Sequence, residues 1–410
     1  MTRRVVITGM GIISCLGNNV EEVTASLQAQ KSGIQIDPSY QDRGFRSHLA
    51  GNISLPDSML PPKKHARFMG DAALYSYIAM QQAIASAELP PEMLSKRTTG
   101  LIVGSGGGSN DNIIEANEQL KSSQSTKRVG PYRVSRTMAS TVSACLSTLF
   151  EIKGTAYSVS SACATSGHCI GTALERIQWG KEDIMFAGGG EECHWSMSML
   201  FDGMGALSTR NDDPKTASRP FDQDRNGFVI SGGGGILVLE ALDHAIARNA
   251  PILAEITGYG SCSDGYNLVQ PSGEGAVHAM NTALAQHQTL SQHPIDYINA
   301  HGTSTMIGDV REIQAIESVM QDNMPIISST KAISGHSLGA TSVHEIIYSL
   351  IMMKQGFVFG NCNTENLMPE ASHLKPFLIR ENQTFNMKAF MSNSFGFGGS
   401  NCTLIVSDMA

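Results

Sequence analysis

A five-residue pattern occurs twice in this chain, and that recurrence constrains the fold more than any other feature. Ile7-Thr8-Gly9-Met10-Gly11 returns as Ile256-Thr257-Gly258-Tyr259-Gly260, each time directly after an apolar run (Val5-Val6, then Ile252-Leu253-Ala254). A second pair of marks follows in the same order. Phe228-Val229-Ile230-Ser231 and four glycines lead into the strand-like stretch 236–239, and Phe395-Gly396-Phe397-Gly398-Gly399 leads into 403–406. Two ordered repeats predict a duplication, with halves 1–250 and 251–410. A length of 410 residues also exceeds what one hydrophobic core usually covers. Helical patterns at 20–30, 70–89 and 170–180 alternate with strand-like runs at 100–103, 184–187 and 326–329, which predicts a layered α/β fold.

Charge and cysteine content exclude several function classes. With 29 basic and 37 acidic side chains the net charge is −8, so the surface as a whole has no affinity for nucleic acid or membrane. Eight cysteines without a Cys-x-x-Cys spacing predict reduced thiols, and no sequence spacing supplies a zinc ligand set. No apolar run reaches the roughly 18 residues of a membrane span. Ile12-Ile13-Ser14-Cys15 resembles a lipoprotein cleavage box, but Gly9 and Gly11 break the signal helix it would need, so a buried strand and a cytoplasmic protein are expected. Gly104-Ser105-Gly106-Gly107-Gly108 lacks the Gly-Lys-Ser/Thr or Gly-x-Gly-x-x-Gly of a nucleotide loop and reads as a tight turn.

Three segments carry candidate chemistry. Ser160 to Gly167 is a small, polar stretch ahead of a helical pattern (Ile170, Ala173, Leu174, Ile177), which puts Cys163 at a helix N-terminus. Backbone N–H groups there favour a thiolate, and a nucleophile and an inert buried thiol remain the two readings. Lowering a thiol pKa from about 8.5 to about 7 takes roughly 2 kcal/mol, more than the ~0.3 to 1 kcal/mol a helix end usually supplies, so a further basic group is expected. Asn299-Ala300-His301-Gly302-Thr303-Ser304-Thr305 and Lys331-Ala332-Ile333-Ser334-Gly335-His336 both follow short β-like runs, where ligands bind in α/β sheets. Two basic islands, Lys63-Lys64-His65 with Arg67, and Lys121, Lys127, Arg128, Arg133 and Arg136, suit either a solvated face or an acidic partner.

Together, Ser-Ala-Cys-Ala-Thr-Ser at 161–166, His-Gly-Thr-Ser-Thr at 301–305, Lys-Ala-x-x-Gly-His at 331–336 and Asn-Ser-Phe-Gly-Phe-Gly-Gly at 393–399 resemble a β-ketoacyl-[acyl-carrier-protein] synthase along essentially the whole chain. Gly-Gly-Gly-Glu-Glu at 188–192 and the 201–208 segment resemble the synthase I type. Met306 stands where a proline is usual, and Thr341-Ser342 replace smaller residues. The resemblance implies a thiolase-like fold of two duplicated α/β halves in five α-β-α-β-α layers, the first half carrying the nucleophile and the second both histidines. It implies a cytoplasmic homodimer whose partner is acyl carrier protein, and an acyltransferase of fatty acid synthesis. Its reaction is a decarboxylative condensation of an acyl primer held on Cys163 with malonyl-carrier protein. A ketosynthase of a polyketide or specialised lipid pathway, and a non-catalytic partner subunit, are the alternatives; a thiolase is disfavoured by the Cys-His-His set and the Phe-Gly-Phe-Gly-Gly loop.

By the same resemblance, the catalytic residues are Cys163, His301, His336 and Lys331, and the backbone N–H groups of Cys163 and Phe397 form the oxyanion hole. Thr303 and Thr305 contact pantetheine, Phe397 gates the acyl pocket, and Gly107 lines it. Glu312 positions Lys331. Asn299, Glu345 and Ser392 form a structural site for a monovalent cation such as Na+ or K+, and no other cofactor is implied, since phosphopantetheine arrives on the carrier. Lys63, Lys64, Arg67, Lys127 and Arg128 become the docking surface for the acidic carrier.

Overall fold

The first apolar run becomes the strand Val5–Ser14 (β1), buried at every position. The structure, a computed structural model, describes residues 2–409. In chain order the remaining strands of the main sheet are Thr99–Gly104 (β2), Ala156–Tyr157 (β3), Ile184–Glu191 (β4), Gly233–Ala241 (β5), Ala254–Ser263 (β6), Tyr297–Asn299 (β7), Ile326–Ser328 (β8), Ala389–Gly396 (β9) and Ser400–Ser407 (β10). The helices used below are Asp71–Ser86 (α1), Asn110–Ser123 (α2), Thr165–Gln178 (α3), Glu274–Leu290 (α4), Gly308–Met320 (α5) and Thr341–Gln355 (α6). Among the described residues no helix is long and apolar enough to cross a membrane.

The hydrogen-bonded strand order is β8-β7-β9-β10-β6-β1-β5-β4-β2-β3. Cut between β6 and β1, it falls into two five-stranded sets with one topology: third, second, fourth, fifth, first. Directions match as well. In each set the second strand runs parallel to the third and fourth, and the fifth runs antiparallel to the fourth and first. The pairs Val6–Glu255 and Ile7–Ala254 join the sets across the cut.

Helices α3 and α6 lie between the two sets and touch strands of both, while α1 covers the outer face of one set and α4, with α5 beside it, covers the other. This is the five-layered arrangement. Because α6 has protein on every side, each residue from Thr341 to Met352 is buried. A matching pair of 3-10 turns precedes the two middle helices: Ala162–Ala164 before α3 and Leu338–Ala340 before α6. Each turn opens on a left-handed residue, Ala162 (φ 51°) and Leu338 (φ 46°). Such a backbone is strained for a residue with a side chain and persists only where its surroundings hold it.

The repeated Gly-x-Gly now has a physical reason. A Cβ on Gly9 or Gly11 would lie 2.4 Å from the Ala83 carbonyl oxygen or 1.9 Å from that of Ala79, both on α1. On Gly258 or Gly260 it would lie 2.3 Å from the Ala283 oxygen or 1.9 Å from that of Ala279, both on α4. The glycines let a helix backbone rest directly on its strand, twice and in the same way. The intervening threonines are equivalent too, since the β1–β5 and β6–β10 ladders each skip a residue there, Thr8 and Thr257. Gly11→Ala and Gly260→Ala are therefore expected to cost roughly 2 to 3 kcal/mol each through overpacking, read as a lower denaturation midpoint with an unchanged slope.

Candidate active site

Cys163 occupies the middle of the strained turn ahead of α3, where the sequence places it. Its Sγ lies 3.0 Å from His336 Nε2. His336 follows the short helix Lys331–Ser334 and is anchored on its far side, with Nδ1 2.8 Å from Thr341 Oγ1 at the start of α6. His301 leaves the end of β7, and its ring stands edge-on to His336 with centroids 5.3 Å apart. One cavity of about 360 Å³ opens over all three, with Thr303, Thr305 and Phe397 among its walls. The structure thus brings together the three segments singled out in the sequence. The Cys163, His301 and His336 ligand atoms lie within 4.8 Å of one another, a grouping the sequence spacing does not reveal. A metal there would occupy the sulfur lone pairs beside the Lys331 charge, so the chemistry of this set is that of a nucleophile with its acid–base partners.

Backbone geometry around the sulfur is equally specific. The N–H groups of Phe397 and of Cys163 itself are directed at the thiol. An oxygen developing next to Sγ would meet the same two donors, the requirement for an oxyanion hole. Gly396 makes this possible, because a Cβ there would come within 3.1 Å of the Cys163 nitrogen. Phe397 is 37% exposed and faces Phe201 across the cavity mouth. Its loop is held by Asp264 N–H donating to the Gly399 oxygen and by Asn401 Nδ2 donating to Asp264 Oδ1.

Electrostatics corrects the expected thiolate. Burial pushes the Cys163 thiol up to about 11; the Lys331 charge and the two N–H groups pull the other way, and the buried Glu191 carboxylate adds to the upward push. Desolvation by the surrounding protein outweighs the turn and its donors. His301 is held well below its usual range by burial, then by Lys331 and His336, and His336 by burial and Lys331. The resting pair is therefore a neutral thiol beside neutral imidazoles.

Glu345, and not Glu312 as expected, is the acid paired with Lys331. Glu312 accepts the His301 and Gly302 backbone N–H groups, each at 2.7 Å, and so fixes the His-Gly loop. The acid bonded to Lys331 Nζ is Glu345, one turn into α6. Burial raises Glu312 to about 7 and Glu345 to about 8 against the pull of Lys331. Glu345 Oε2 is left buried without a hydrogen-bond partner. Asn299 Nδ2 reaches the Glu345 carbonyl at 3.4 Å, and Ser392 pairs with Asn299 across β7 and β9. An unpartnered carboxylate oxygen among oxygen-bearing neighbours fits a small hard cation.

Gly107 lies behind the open cavity rather than on its wall. A Cβ there would meet Met197 Cε at 2.0 Å, so the flexible Met197 fills the space between. The Gly106–Gly107 loop is set by a residue the sequence reading left without a role. Glu191, at the end of β4, accepts from Ser105 Oγ (2.7 Å), Gly106 N (2.7 Å), Gly107 N (3.2 Å) and, across the two halves, Gly339 N (3.0 Å). Glu192 caps α2 through Asn110 N and Ser109 Oγ, and burial raises it to about 7. The Gly-Gly-Gly-Glu-Glu run was the signal for both.

The two basic islands meet on one surface. Arg67 stacks on Phe68 and Tyr132, with Cζ 5.2 Å and 5.1 Å from the ring centres, and Arg136 donates to the Arg67 carbonyl at 2.9 Å. Lys63, Lys64, Arg67, Lys127 and Arg128 are all exposed, and none forms an ion pair with another described residue.

A strained turn presenting a cysteine between two histidines, in a duplicated five-layered fold, defines a condensing acyltransferase of the thiolase type. The chain belongs to the β-ketoacyl synthase family, matching the family's N-terminal domain over residues 2–245 and its C-terminal domain over 253–365. It is 52% identical over 404 residues to 3-oxoacyl-[acyl-carrier-protein] synthase 1 of Haemophilus influenzae, covering 98% of each chain. Its fold matches a β-ketoacyl synthase from Burkholderia phymatum (TM-score 0.92, 35% identity, all of both chains). It also matches a ketosynthase of a type II polyketide synthase in complex with its acyl-carrier protein (TM-score 0.90, 25% identity, all of both chains).

A thiol held at about 11 should alkylate accordingly. The rate of Cys163 modification by iodoacetamide in the free enzyme is expected to climb about tenfold per pH unit through neutrality and beyond, since only the thiolate reacts. A plateau near neutral pH would show a preformed thiolate–imidazolium pair.

Proposed function

We propose that this chain condenses an acyl primer with malonyl-acyl-carrier protein, releasing CO2 and 3-ketoacyl-carrier protein, in fatty acid elongation in the cytoplasm. The observation that carries the reading is Cys163 Sγ at 3.0 Å from a neutral imidazole, with two backbone N–H groups aimed at it. Similarity over nearly the full length to a synthase of that name supports the substrate class.

The chemistry follows from the geometry. The Cys163 proton passes to an imidazole as Sγ attacks the thioester carbon, and the oxyanion takes the Phe397 and Cys163 N–H groups. The carrier sulfur leaves with that proton. Malonyl-carrier then occupies the cavity, Thr303 and Thr305 offering hydroxyls to its pantetheine arm. Its carboxylate departs as CO2, and the electron pair left on carbon gives an enolate stabilised by the neutral imidazole pair His301 and His336. That carbon attacks the acyl carbonyl, the Cys163 thiolate leaves, and a solvent proton restores the thiol. Burial, aided by the Lys331 charge, keeps both imidazoles neutral. A monovalent cation held by Asn299, Glu345 and Ser392 would neutralise the free Glu345 oxygen and stiffen the start of α6.

Partner and assembly rest on surface features. The merged basic patch suits the acidic carrier. The edge strand β3 is exposed and pairs with β2 alone, leaving a free edge that a second copy would extend into a homodimer.

Intact-mass spectrometry tests the reaction. An acyl adduct is expected on the wild type and not on Cys163→Ala, and malonyl-carrier should then yield a carrier-bound product two carbons longer. Charge reversal at Lys63, Arg67 and Lys127 is expected to raise KM for carrier-linked substrates several-fold, with the greatest effect at low salt. Small thioester donors should be unaffected, and equal losses for both would remove the docking surface.

A further inference from the structure

The segment 218–228 belongs to the first half but reaches across to the 301–306 loop of the second, and the reaction as described gives it no task. Two strained residues stand where the segments meet, Phe221 (φ 66°) and Ser304 (φ 68°), both fully buried and left-handed. Phe221 packs beneath Gly302, where a Cβ would come within 3.1 Å of its ring. A backbone of this kind persists only where its surroundings fix it. Around Ser304 the fixing comes from the crossing segment. Gly227 N donates to the Ser304 carbonyl at 2.9 Å, and Arg219 N donates to Ser304 Oγ at 3.0 Å.

Arg225 continues the hold one residue further on. It is 4% exposed, and its fork donates to three carbonyls: Nε to Thr305 (2.9 Å), Nη2 to Met306 (2.7 Å) and Nη1 to Asp222 (2.8 Å). Asp309, in the first turn of α5, faces it with Oδ2 3.7 Å from Nε and accepts the Thr305 and Phe221 N–H groups. Thr305 is thus gripped at its nitrogen by the carboxylate and at its oxygen by the guanidinium. A planar fork suits the carbonyls of two consecutive residues, whereas an ammonium supplies the charge without that geometry. The grip fixes a pair of hydroxyls on the cavity wall, Thr303 Oγ1 and Thr305 Oγ1, 3.1 Å apart. One of the two O–H groups serves the contact between them, and the other remains to donate into the cavity.

We infer that Arg225 is a positioning residue which fixes the Thr303–Thr305 hydroxyl pair for the amide groups of the pantetheine arm, and so makes the site select donors that carry this arm. The inference rests on the condensing reaction proposed above and on its use of these two hydroxyls. A donor that ends just beyond its sulfur has no amide for the pair to hold. Arg225 therefore acts on binding of the arm and leaves the chemistry at Cys163 alone.

Acylation of Cys163, followed by intact mass, compares an acyl-pantetheine with the same acyl group on ethanethiol. Arg225→Lys is expected to raise the acyl-pantetheine concentration giving half-maximal rate about tenfold, with the maximal rate within about twofold. The ethanethiol ester, and alkylation of Cys163 by iodoacetamide, should change by less than about twofold. Asp309→Asn keeps Arg225 but removes the charge facing it, and it should show the same split between donors if the lysine variant does not fold. With Thr303→Val and Thr305→Val already in place, either change should add less than about twofold, since the pair it positions is gone. Equal losses for both donors, an unchanged response to acyl-pantetheine, or a full loss added on top of the valine pair would overturn the assignment. A wild type acylated by neither donor nor by acyl-carrier protein would instead overturn the condensing reaction.

Discussion

One buried ammonium group sets the terms for the whole site. Lys331 is 1% exposed, bonded to Glu345, and its charge acts on Cys163, His301, His336, Glu312 and Glu345. A charge so deep persists only when paired, and stranding it by removing the partner typically costs about 3 to 5 kcal/mol. The pair ties the short helix after β8 to α6. The same charge adds to burial in keeping the imidazoles uncharged.

The halves divide the work through equivalent places in a common topology. Cys163 follows the third strand of its set, and Lys331 with His336 follows the third strand of the other. Loops after the second strands carry the Gly106–Gly107 turn on one side and His301 on the other. Glu191 ends one fourth strand, and Phe397 follows the other. Glu191 accepts from both sets, so the glycine loop is registered against the turn beyond His336 by one carboxylate.

Much of this was legible in the residues. The duplication, the alternation of elements and the three motif-bearing loops are local patterns, and 20–30, 70–89, 184–187 and 326–329 became elements within a few residues of those limits. What escaped depended on distance in space. Nothing near Lys331 in the sequence distinguishes Glu345 from Glu312 as its partner. Gly107 shows its small size but not the Met197 side chain that claims the vacant volume. The sign of the Cys163 shift was unreadable because a turn and its donors are visible in sequence, whereas the protein packed around the thiol is not. Thr341, a departure from the family pattern, was readable as a difference; its contact with His336 required the fold.

The second strained turn completes the comparison. Leu338–Ala340 has the place, the backbone twist and the following helix of Ala162–Ala164, and superposing the two by position puts Gly339 where the sulfur-bearing residue stands. A Cβ on Gly339 would meet the Gly106 nitrogen at 2.4 Å. The elbow was made twice, and one copy has lost the room for any side chain. The Gly339 amide, whose equivalent at Cys163 is free to receive an oxyanion, is committed to Glu191. A symmetric scaffold has become a one-sided machine by filling one of its two sockets with its own backbone.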